Sequence, residues 1–367
     1  MKTNRVIFYF LSTLLLVSCG NKVKTPIYEL GDKKDVMGSG LLFSETIGFN
    51  TKDATIFEEN NERFIIYDAN EVSKGNQVFA IRKGVKENNK WVYKEKKIIF
   101  KGNEEGWDKY IYQPSIVKGK FNYNNVEYKY LLAYQGNNSN DNYNNHIGLA
   151  VTNDLFANYI RVGNAPILSN PSIYVGSFGY GSPSLTSINK EGEVMLSYSF
   201  GETNLSGTRV MELDLSNLNK INSDTGYSEL NASGLKLRED GIISNATFIF
   251  NDDYSKAYLI NDGMPSSNAP GQSNAIEVAS ANSSIIYDIN TKWNSIKNIM
   301  GSDTIIKEDE TSLGWDEIYS GTIVTNEYGL VNKDSKKLEV IYSTYQEGIE
   351  ESRYTAQLCS FEVNLSE

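Results

Sequence analysis

Two segments of the sequence place a tryptophan directly before acidic residues. They read Gly-Trp-Asp-Lys-Tyr-Ile-Tyr over 106–112 and Gly-Trp-Asp-Glu-Ile-Tyr over 314–319. The face of a tryptophan stacks on a sugar ring at little cost in entropy, and nearby carboxylates bind the hydroxyl groups of the sugar. The pattern predicts a pair of sugar-binding loops, with the alternative that each Trp packs inside the fold and each Asp caps a turn. The residues concerned are Trp107, Asp108, Trp315, Asp316 and Glu317.

The elements that must position these loops come from a motif that occurs five times. Each copy has a small or polar residue, then Ala, Pro or Gly, then Ser or Thr, then a large apolar residue. The copies start 60, 69, 63 and 75 residues apart, and each precedes two further apolar runs, the first of them rich in Tyr. Short apolar runs separated by Asn, Asp and Gly are typical of an all-β protein. The copies begin at Asp53, Gln113, Ser182, Asn245 and Ser320.

A repeat of this length, built from three or four antiparallel strands, is one blade of a β-propeller. The sequence therefore predicts five blades around a channel, with the five motif residues ringing the channel. Pro114 and Pro183 fit this interpretation because proline is tolerated at the start of a strand. We expect segment 37–43 to pair with the last strand and close the ring, which removes a free edge. Two β-sandwiches in series are the alternative, but five recurrences favour the propeller.

The second blade carries a resemblance to a known family. Its segments Gln-Pro-Ser-Ile-Val (113–117), Tyr-Leu-Leu-Ala-Tyr (130–134), Ile-Gly-Leu-Ala-Val-Thr-Asn-Asp-Leu (147–155) and Asn-Ala-Pro-Ile-Leu (164–168) are similar to one blade of the five-bladed glycoside hydrolases. That superfamily includes arabinanases, family 43 β-xylosidases, invertases and levansucrases. The likeness is good over this blade and weaker over the others. It implies a five-bladed β-propeller that handles carbohydrate in its channel.

The resemblance also implies roles for single residues. Members carry a base or nucleophile on the first blade, an orienting Asp on the second and a Glu acid on the third, because glycoside hydrolysis needs two carboxyl groups. Asp53 matches the first role, with a turn-capping Asp as the alternative. Gln113 stands where the family has the orienting Asp, and the family's Glu-x-Pro motif on the third blade is replaced by Gly-Ser-Pro (181–183), which has no acid. Asp108, Asp316 and Glu317 are then the candidate acids. The candidate ligand-binding residues are Trp107, Gln113, Ser182, Asn245, Trp315 and Ser320.

Three functions remain open at this point. The chain is a glycoside hydrolase with a relocated acid, a propeller that binds a glycan without cleaving it, or a structural or protein-binding propeller, because a fold alone does not define an activity. The missing Glu on the third blade favours the second. We expect no cofactor and no metal cluster, since the chain has one His and two Cys. For Asn-Asp-Asp (251–253), a Ca²⁺ site is a weaker interpretation than a solvated hairpin turn.

The overall charge limits the partners. The chain has 35 Lys and Arg against 46 Asp and Glu, a net charge of -11 and a pI of about 4.9. A strongly acidic protein is not attracted to nucleic acid or to an anionic membrane by its bulk charge. We therefore expect no nucleic-acid partner. The resemblance implies a carbohydrate partner, and we expect a monomer.

The first residues resemble a bacterial export signal. Lys2 and Arg5 precede an apolar run over 6–17 that is too short to span a bilayer, and Leu-Val-Ser-Cys-Gly (16–20) is similar to a lipobox. The interpretation is a signal peptide over 1–18, a lipidated tether over 19–36 and one propeller domain over 37–367. Cys19 would carry the lipid that anchors the protein on the extracytoplasmic side of the cell envelope. An ordinary signal with a chance cysteine is the alternative. Acylation of Cys19 would leave Cys359 as the single thiol.

Overall fold

The computed structural model describes twelve segments and one single residue, and it contains no helix within them. No segment within that part of the chain is therefore a helix able to cross a membrane. Residues 1–35, which include the predicted signal peptide, Cys19 and most of the predicted tether, lie outside the described residues. The described residues are 36–43, 50–72, 75–139, 143–171, 176–202, 205–237, 242–243, 245–263, 273, 275–283, 291–300, 317–345 and 356–365.

Strands dominate the described segments, as short runs rich in β-branched and aromatic residues predict. In chain order they are β1 (Val36–Leu41), β2 (Lys52–Glu59), β3 (Glu62–Asn70), β4 (Gln77–Glu87), β5 (Lys90–Tyr93), β6 (Lys97–Lys101), β7 (Tyr110–Tyr123), β8 (Val126–Asn137), β9 (His146–Thr152), β10 (Ile160–Arg161), β11 (Gly179–Ser187), β12 (Glu193–Gly201), β13 (Ser206–Asp214), β14 (Ser228–Glu229), β15 (Thr247–Asn251), β16 (Lys256–Asp262), β17 (Ala275–Asn282), β18 (Asn294–Met300), β19 (Glu317–Ile323), β20 (Thr325–Asn326), β21 (Leu330–Val331), β22 (Lys337–Tyr345) and β23 (Gln357–Asn364).

These strands form five antiparallel sheets, one for each repeat. Blade one is β2-β3-β4-β5, with β6 also paired to β4; blade two is β7-β8-β9-β10; blade three is β11-β12-β13-β14; blade four is β15-β16-β17-β18. Blade five is β19-β22-β23-β1. The innermost strands β2, β7, β11, β15 and β19 contact one another in a closed cycle. The predicted five-bladed β-propeller is confirmed.

The ring closes between the two ends of the propeller sequence. Strand β1 pairs antiparallel with β23, so that Val36 lies opposite Val363 and Leu41 lies opposite Cys359. The fourth strand of blade five thus comes from the N-terminal side of blade one, as the sequence predicted for segment 37–43. The pairing covers an edge of β23 that would otherwise expose unpaired backbone groups.

The core lies between neighbouring blades. Val117 and Leu131 of blade two pack with Leu196 and Met211 of blade three in one buried cluster, and similar clusters fill the other interfaces. Many of the Tyr residues belong to these clusters; Tyr67, Tyr134 and Tyr342 are among the largest fully buried side chains. Aromatic and branched residues suit a pleated surface that is covered on both faces.

One connection links the innermost strands at one end of the propeller. Residues 325–331, which we call the floor segment, join β19 to β22. Within it, β20 pairs in parallel with β2, and β21 pairs in parallel with β15. The amides of Lys118 in β7 and Ser187 in β11 donate to the carbonyls of Glu327 and Tyr328. The segment therefore bonds to the innermost strands of the four other blades, at the end where those strands finish.

Candidate functional site

The five motif residues share one uncommon backbone conformation. Asp53, Gln113, Ser182, Asn245 and Ser320 have φ angles of 48°, 53°, 49°, 50° and 51°. Only Asn and Asp visit this left-handed region with ease among residues that have a Cβ. In blades one, two, three and five, the pairing register between the first and second strands shifts at the motif residue, directly after the residue that precedes it. Such a shift marks a β-bulge. We call these five residues the bulge ring; they lie at the end of the channel opposite the floor segment.

Each bulge-ring amide is bonded by the blade before it. The N–H of every motif residue donates to a side-chain oxygen at the end of the second strand of the preceding blade, with blade five serving blade one. The bonds satisfy donors that the bulge removes from the strand ladder. The five donor and acceptor pairs are Asp53 to Ser343 Oγ (2.8 Å), Gln113 to Asp68 Oδ1 (3.1 Å), Ser182 to Gln135 Oε1 (3.3 Å), Asn245 to Ser199 Oγ (2.8 Å) and Ser320 to Asp262 Oδ1 (2.8 Å).

Side chains of blades two, three and four bond to one another across the channel. Gln113 Nε2 donates to Asn245 Oδ1 at 2.6 Å, and Asn245 Nδ2 donates to Asp262 Oδ2 at 2.5 Å. The hydroxyl of Ser182 lies 3.0 Å from Gln113 Oε1 and 2.6 Å from Asn245 Oδ1. This half of the ring is therefore a connected set of three neutral side chains that ends on one buried carboxylate.

Blade one supplies a charged half. Lys52 Nζ lies 2.9 Å from Asp53 Oδ2 and 4.0 Å from Asp68 Oδ2. Burial raises the pKa of Asp68 well above its ordinary value, and the charge of Asp53 raises it further. Burial opposes the charge on Lys52, but the two carboxyl groups outweigh it and raise the pKa of Lys52. Burial and the neighbouring carboxyl group therefore favour the protonated form of Asp68, while Lys52 forms the ion pair with Asp53.

Trp107 and Asp108 lie against blade two. The Trp107 ring stacks on Tyr134 with centroids 5.9 Å apart and planes 10° apart, and a Cβ on Gly136 would lie 2.7 Å from it. Asp108 is 1% exposed, and its Oδ2 accepts bonds from Tyr134 OH at 2.8 Å and Arg161 Nε at 2.7 Å. The contact of Trp107 agrees with the alternative in which the Trp packs inside the fold, whereas Asp108 bonds to Arg161 and Tyr134 rather than capping a turn. The predicted ligand-binding role of Trp107 and acid role of Asp108 stay predictions.

The second Trp-acid segment is not described. Trp315 and Asp316 lie outside the described residues, and so does the side chain of Glu317, whose backbone begins β19. Their predicted roles stay predictions.

The side chains of the 251–253 turn accept local hydrogen bonds. Asn251 Oδ1 accepts from the Lys256 amide, Asp252 Oδ1 from the Lys333 amide and Asp253 Oδ1 from the Ser255 amide. Within the described segments, no group of three or more His, Cys, Asp and Glu side chains could hold a metal ion. These bonds match the solvated-turn interpretation, and the Ca²⁺ site stays untested.

Sequence reasoning missed the residues that bond the ring amides. Four of the five follow a Tyr at the end of the second strand: Tyr-Asp (67–68), Tyr-Gln (134–135), Tyr-Ser (198–199) and Tyr-Ser (342–343). The fifth pair is Asn-Asp (261–262). A polar residue ending a Tyr-rich apolar run was therefore a readable signal. Lys52 was missed as well, because a lysine one position before a motif has no distinctive pattern.

Of the comparisons with known proteins, the one with solved structures gave matches, and they share the fold. No protein-family model matches the sequence, and no curated protein sequence matches it. Among solved structures, the catalytic domain of a family 62 α-L-arabinofuranosidase from Coprinopsis cinerea is similar at a TM-score of 0.57 and 11% identity, over 89% of this chain and 96% of that chain. An α-L-arabinofuranosidase from Lactobacillus brevis is similar at 0.56 and 8%, over 87% and 92%. An α-L-arabinofuranosidase from Podospora anserina, solved with cellotriose, is similar at 0.54 and 12%, over 90% and 97%. At these identities the likeness is one of fold.

Proposed function

We propose that the protein binds a carbohydrate at the bulge-ring end of its channel and does not hydrolyse it. The observation that carries this proposal is the hydrogen-bonded set of Gln113, Ser182 and Asn245. Amide and hydroxyl groups are both donors and acceptors, so such a set suits the hydroxyls of a neutral sugar. The fold shared with three arabinofuranosidases supports the same ligand class.

Binding without cleavage follows from how the ring carboxyls are held. A glycosidase flanks the scissile bond with two carboxyl groups roughly 5 to 9.5 Å apart, one to donate a proton and one to attack or to activate water. Asp53 and Asp68 instead lie beside the same lysine, with Lys52 Nζ 2.9 Å from Asp53 Oδ2 and 4.0 Å from Asp68 Oδ2. Asp262 accepts from Asn245 Nδ2 with one oxygen and from the Ser320 amide with the other. Each of these three carboxyl groups therefore has at least one oxygen bonded within the protein.

The proposal includes a cellular place. A lipid on Cys19 would hold the propeller on the extracytoplasmic side of a bacterial membrane, where glycans arrive from outside the cell. The support is the basic, apolar and Leu-Val-Ser-Cys-Gly pattern of residues 2–20. Anchoring through acyl chains needs no attraction between the acidic domain and the membrane.

Calorimetry and product analysis on the same samples test the proposal. The purified protein is titrated with arabino-, xylo- and fructo-oligosaccharides, and each mixture is then assayed for released sugar. We expect heat of binding with at least one series and no release above background. Asp53→Asn should bind like the wild type, since Asn tolerates the left-handed backbone.

Two outcomes would overturn the proposal. Sugar release that Asp53→Asn abolishes would establish a hydrolase, because losing a general base lowers turnover by roughly 10² or more. Absence of binding to every series would favour a protein-binding propeller. Asp224→Asn is the matched control, since Asp224 is exposed.

A further inference from the structure

A stack of three side chains stands on blade three, away from the bulge-ring residues. The guanidinium carbon of Arg209 lies 3.7 Å from the ring centroid of Phe200 and 4.2 Å from that of Tyr227. Arg209 is 4% exposed, whereas Tyr227 is 54% exposed. Tyr227 therefore rests one face on a buried cation and turns the rest of its ring to the surface.

The arginine in this stack is fixed by two carboxylates. Its Nη1 donates to Glu202 Oε1 at 2.9 Å, and its Nη2 donates to Glu229 Oε1 at 3.0 Å. A guanidinium held on both sides is a rigid support for an aromatic ring. The carboxylate of Glu229 keeps 44% of its surface exposed beside that ring. An exposed aromatic face with a hydrogen-bond acceptor next to it is suited to a sugar residue.

The stack lies level with the bulge ring. On β12, Tyr198 pairs with Arg209 of β13, and the next residue, Ser199, pairs with Gly181, which precedes Ser182. Tyr227 directly precedes β14, the fourth strand of the same blade. Three strand spacings of about 4.8 Å put it roughly 14 Å from the innermost strand, farther than one monosaccharide extends.

We propose that Tyr227 is an outer sugar subsite, and that the ligand is an oligosaccharide long enough to reach it from the bulge ring. This inference rests on the proposed function, because it extends the ligand bound at the ring. The inner sugar would meet Gln113, Ser182 and Asn245. A more distant sugar of the same chain would stack on the open face of Tyr227 and hydrogen-bond to Glu229.

Affinity measured against ligand length tests the inference. The glycan series that binds the wild type is titrated from the monosaccharide to the hexasaccharide. We expect affinity to rise with length until the chain spans the ring and Tyr227. Tyr227→Ala should remove that rise, lowering affinity for the longer ligands roughly three- to tenfold and leaving the monosaccharide unchanged. Tyr227→Phe should keep the rise, because it keeps the ring.

The controls separate this inference from the proposal beneath it. Ile160→Ala removes a 47% exposed apolar side chain from the outer strand of blade two and should bind like the wild type. If Tyr227→Ala binds every length as the wild type does, or weakens the monosaccharide equally, the outer subsite is wrong while ring binding stands. If the wild type binds no ligand of any length, both proposals are overturned.

Discussion

Asp68 offers the sharpest test of the charged half of the ring. It is fully buried, accepts a hydrogen bond from the Gln113 amide at 3.1 Å and lies 4.0 Å from Lys52 Nζ. In Asp68→Asn, the new side-chain carbonyl can still accept from the Gln113 amide. In Asp68→Ala, the Gln113 amide loses this acceptor. A buried donor left without a partner costs about 1–3 kcal/mol, so we expect that loss for Ala and less than 1 kcal/mol for Asn at neutral pH.

The pH dependence gives a second, independent readout. In the unfolded chain Asp68 ionises near its ordinary pKa of about 3.9, whereas burial and Asp53 raise its pKa well above that in the folded protein. Between the two values the folded state holds a proton that the unfolded state has lost. The free energy of unfolding therefore falls as pH rises through this window. Above the folded pKa, the stability contributed by this proton is fully lost. Asp68→Asn should remove this component of the slope.

The assay is urea unfolding of the wild type and both variants, followed by tryptophan fluorescence and circular dichroism over a pH series. Asp224→Asn controls for the loss of one exposed carboxylate and should keep the wild-type slope. The reasoning fails if Asn destabilises the protein as much as Ala at neutral pH. That result would mean that Asp68 is ionised in the folded protein and is held by Lys52.

Three further predictions concern the floor segment, the buried thiol and the anchor. Gly329→Ala should lower the free energy of unfolding in urea by about 1–3 kcal/mol, because φ is 72° there and a Cβ would lie 2.7 Å from the Leu185 carbonyl oxygen. Gly163→Ala is the control and should cost less, because its φ is 71° but no atom lies within 4 Å of the added Cβ. Equal losses of stability in the two variants would exclude the floor contact as the cause. Burial raises the pKa of Cys359 to about 12, so a thiol reagent at pH 8 should modify it in urea but not in the folded protein, and rapid modification without urea would contradict its burial. Cys19→Ser should abolish incorporation of labelled lipid and release the protein from membranes, and a variant that keeps its lipid would disprove the lipobox interpretation.

The sequence predicted the parts of the fold that repeat. The five motifs and the Tyr-rich second strands each have a local pattern, and a pattern that recurs five times specifies an architecture. The closing N-terminal strand followed from the missing fourth strand of the last blade. The left-handed conformation of Gln113 and Ser182 was less accessible, because neither residue type favours it. Their backbone follows from the position in the blade, and the neighbouring blade supplies the bond that makes it tolerable.

The site was harder to predict because its contacts join residues from different repeats. The bond between Asp68 and the Gln113 amide joins two blades, and neither sequence segment has a pattern that identifies the other as its partner. Trp107 shows the opposite difficulty. A Gly-Trp-Asp segment suits a sugar platform and a packed ion pair equally well, and the small residues Gly136 and Gly148, which make room for the ring, lie on other strands. Only the assembled blade distinguishes the two uses.

The pairing of β1 with β23 constrains the order in which the propeller can form during synthesis. Val36 and Val363 are partners although 327 positions separate them. On the ribosome, β1 is made before any blade and must stay unpaired until the last strand emerges. Contacts between such distant residues are slow to form, and an open strand edge can pair with another chain in the meantime. A protein shortened before β23 would hold four complete blades and an unclosed gap, so we expect it to aggregate rather than to persist as a smaller propeller.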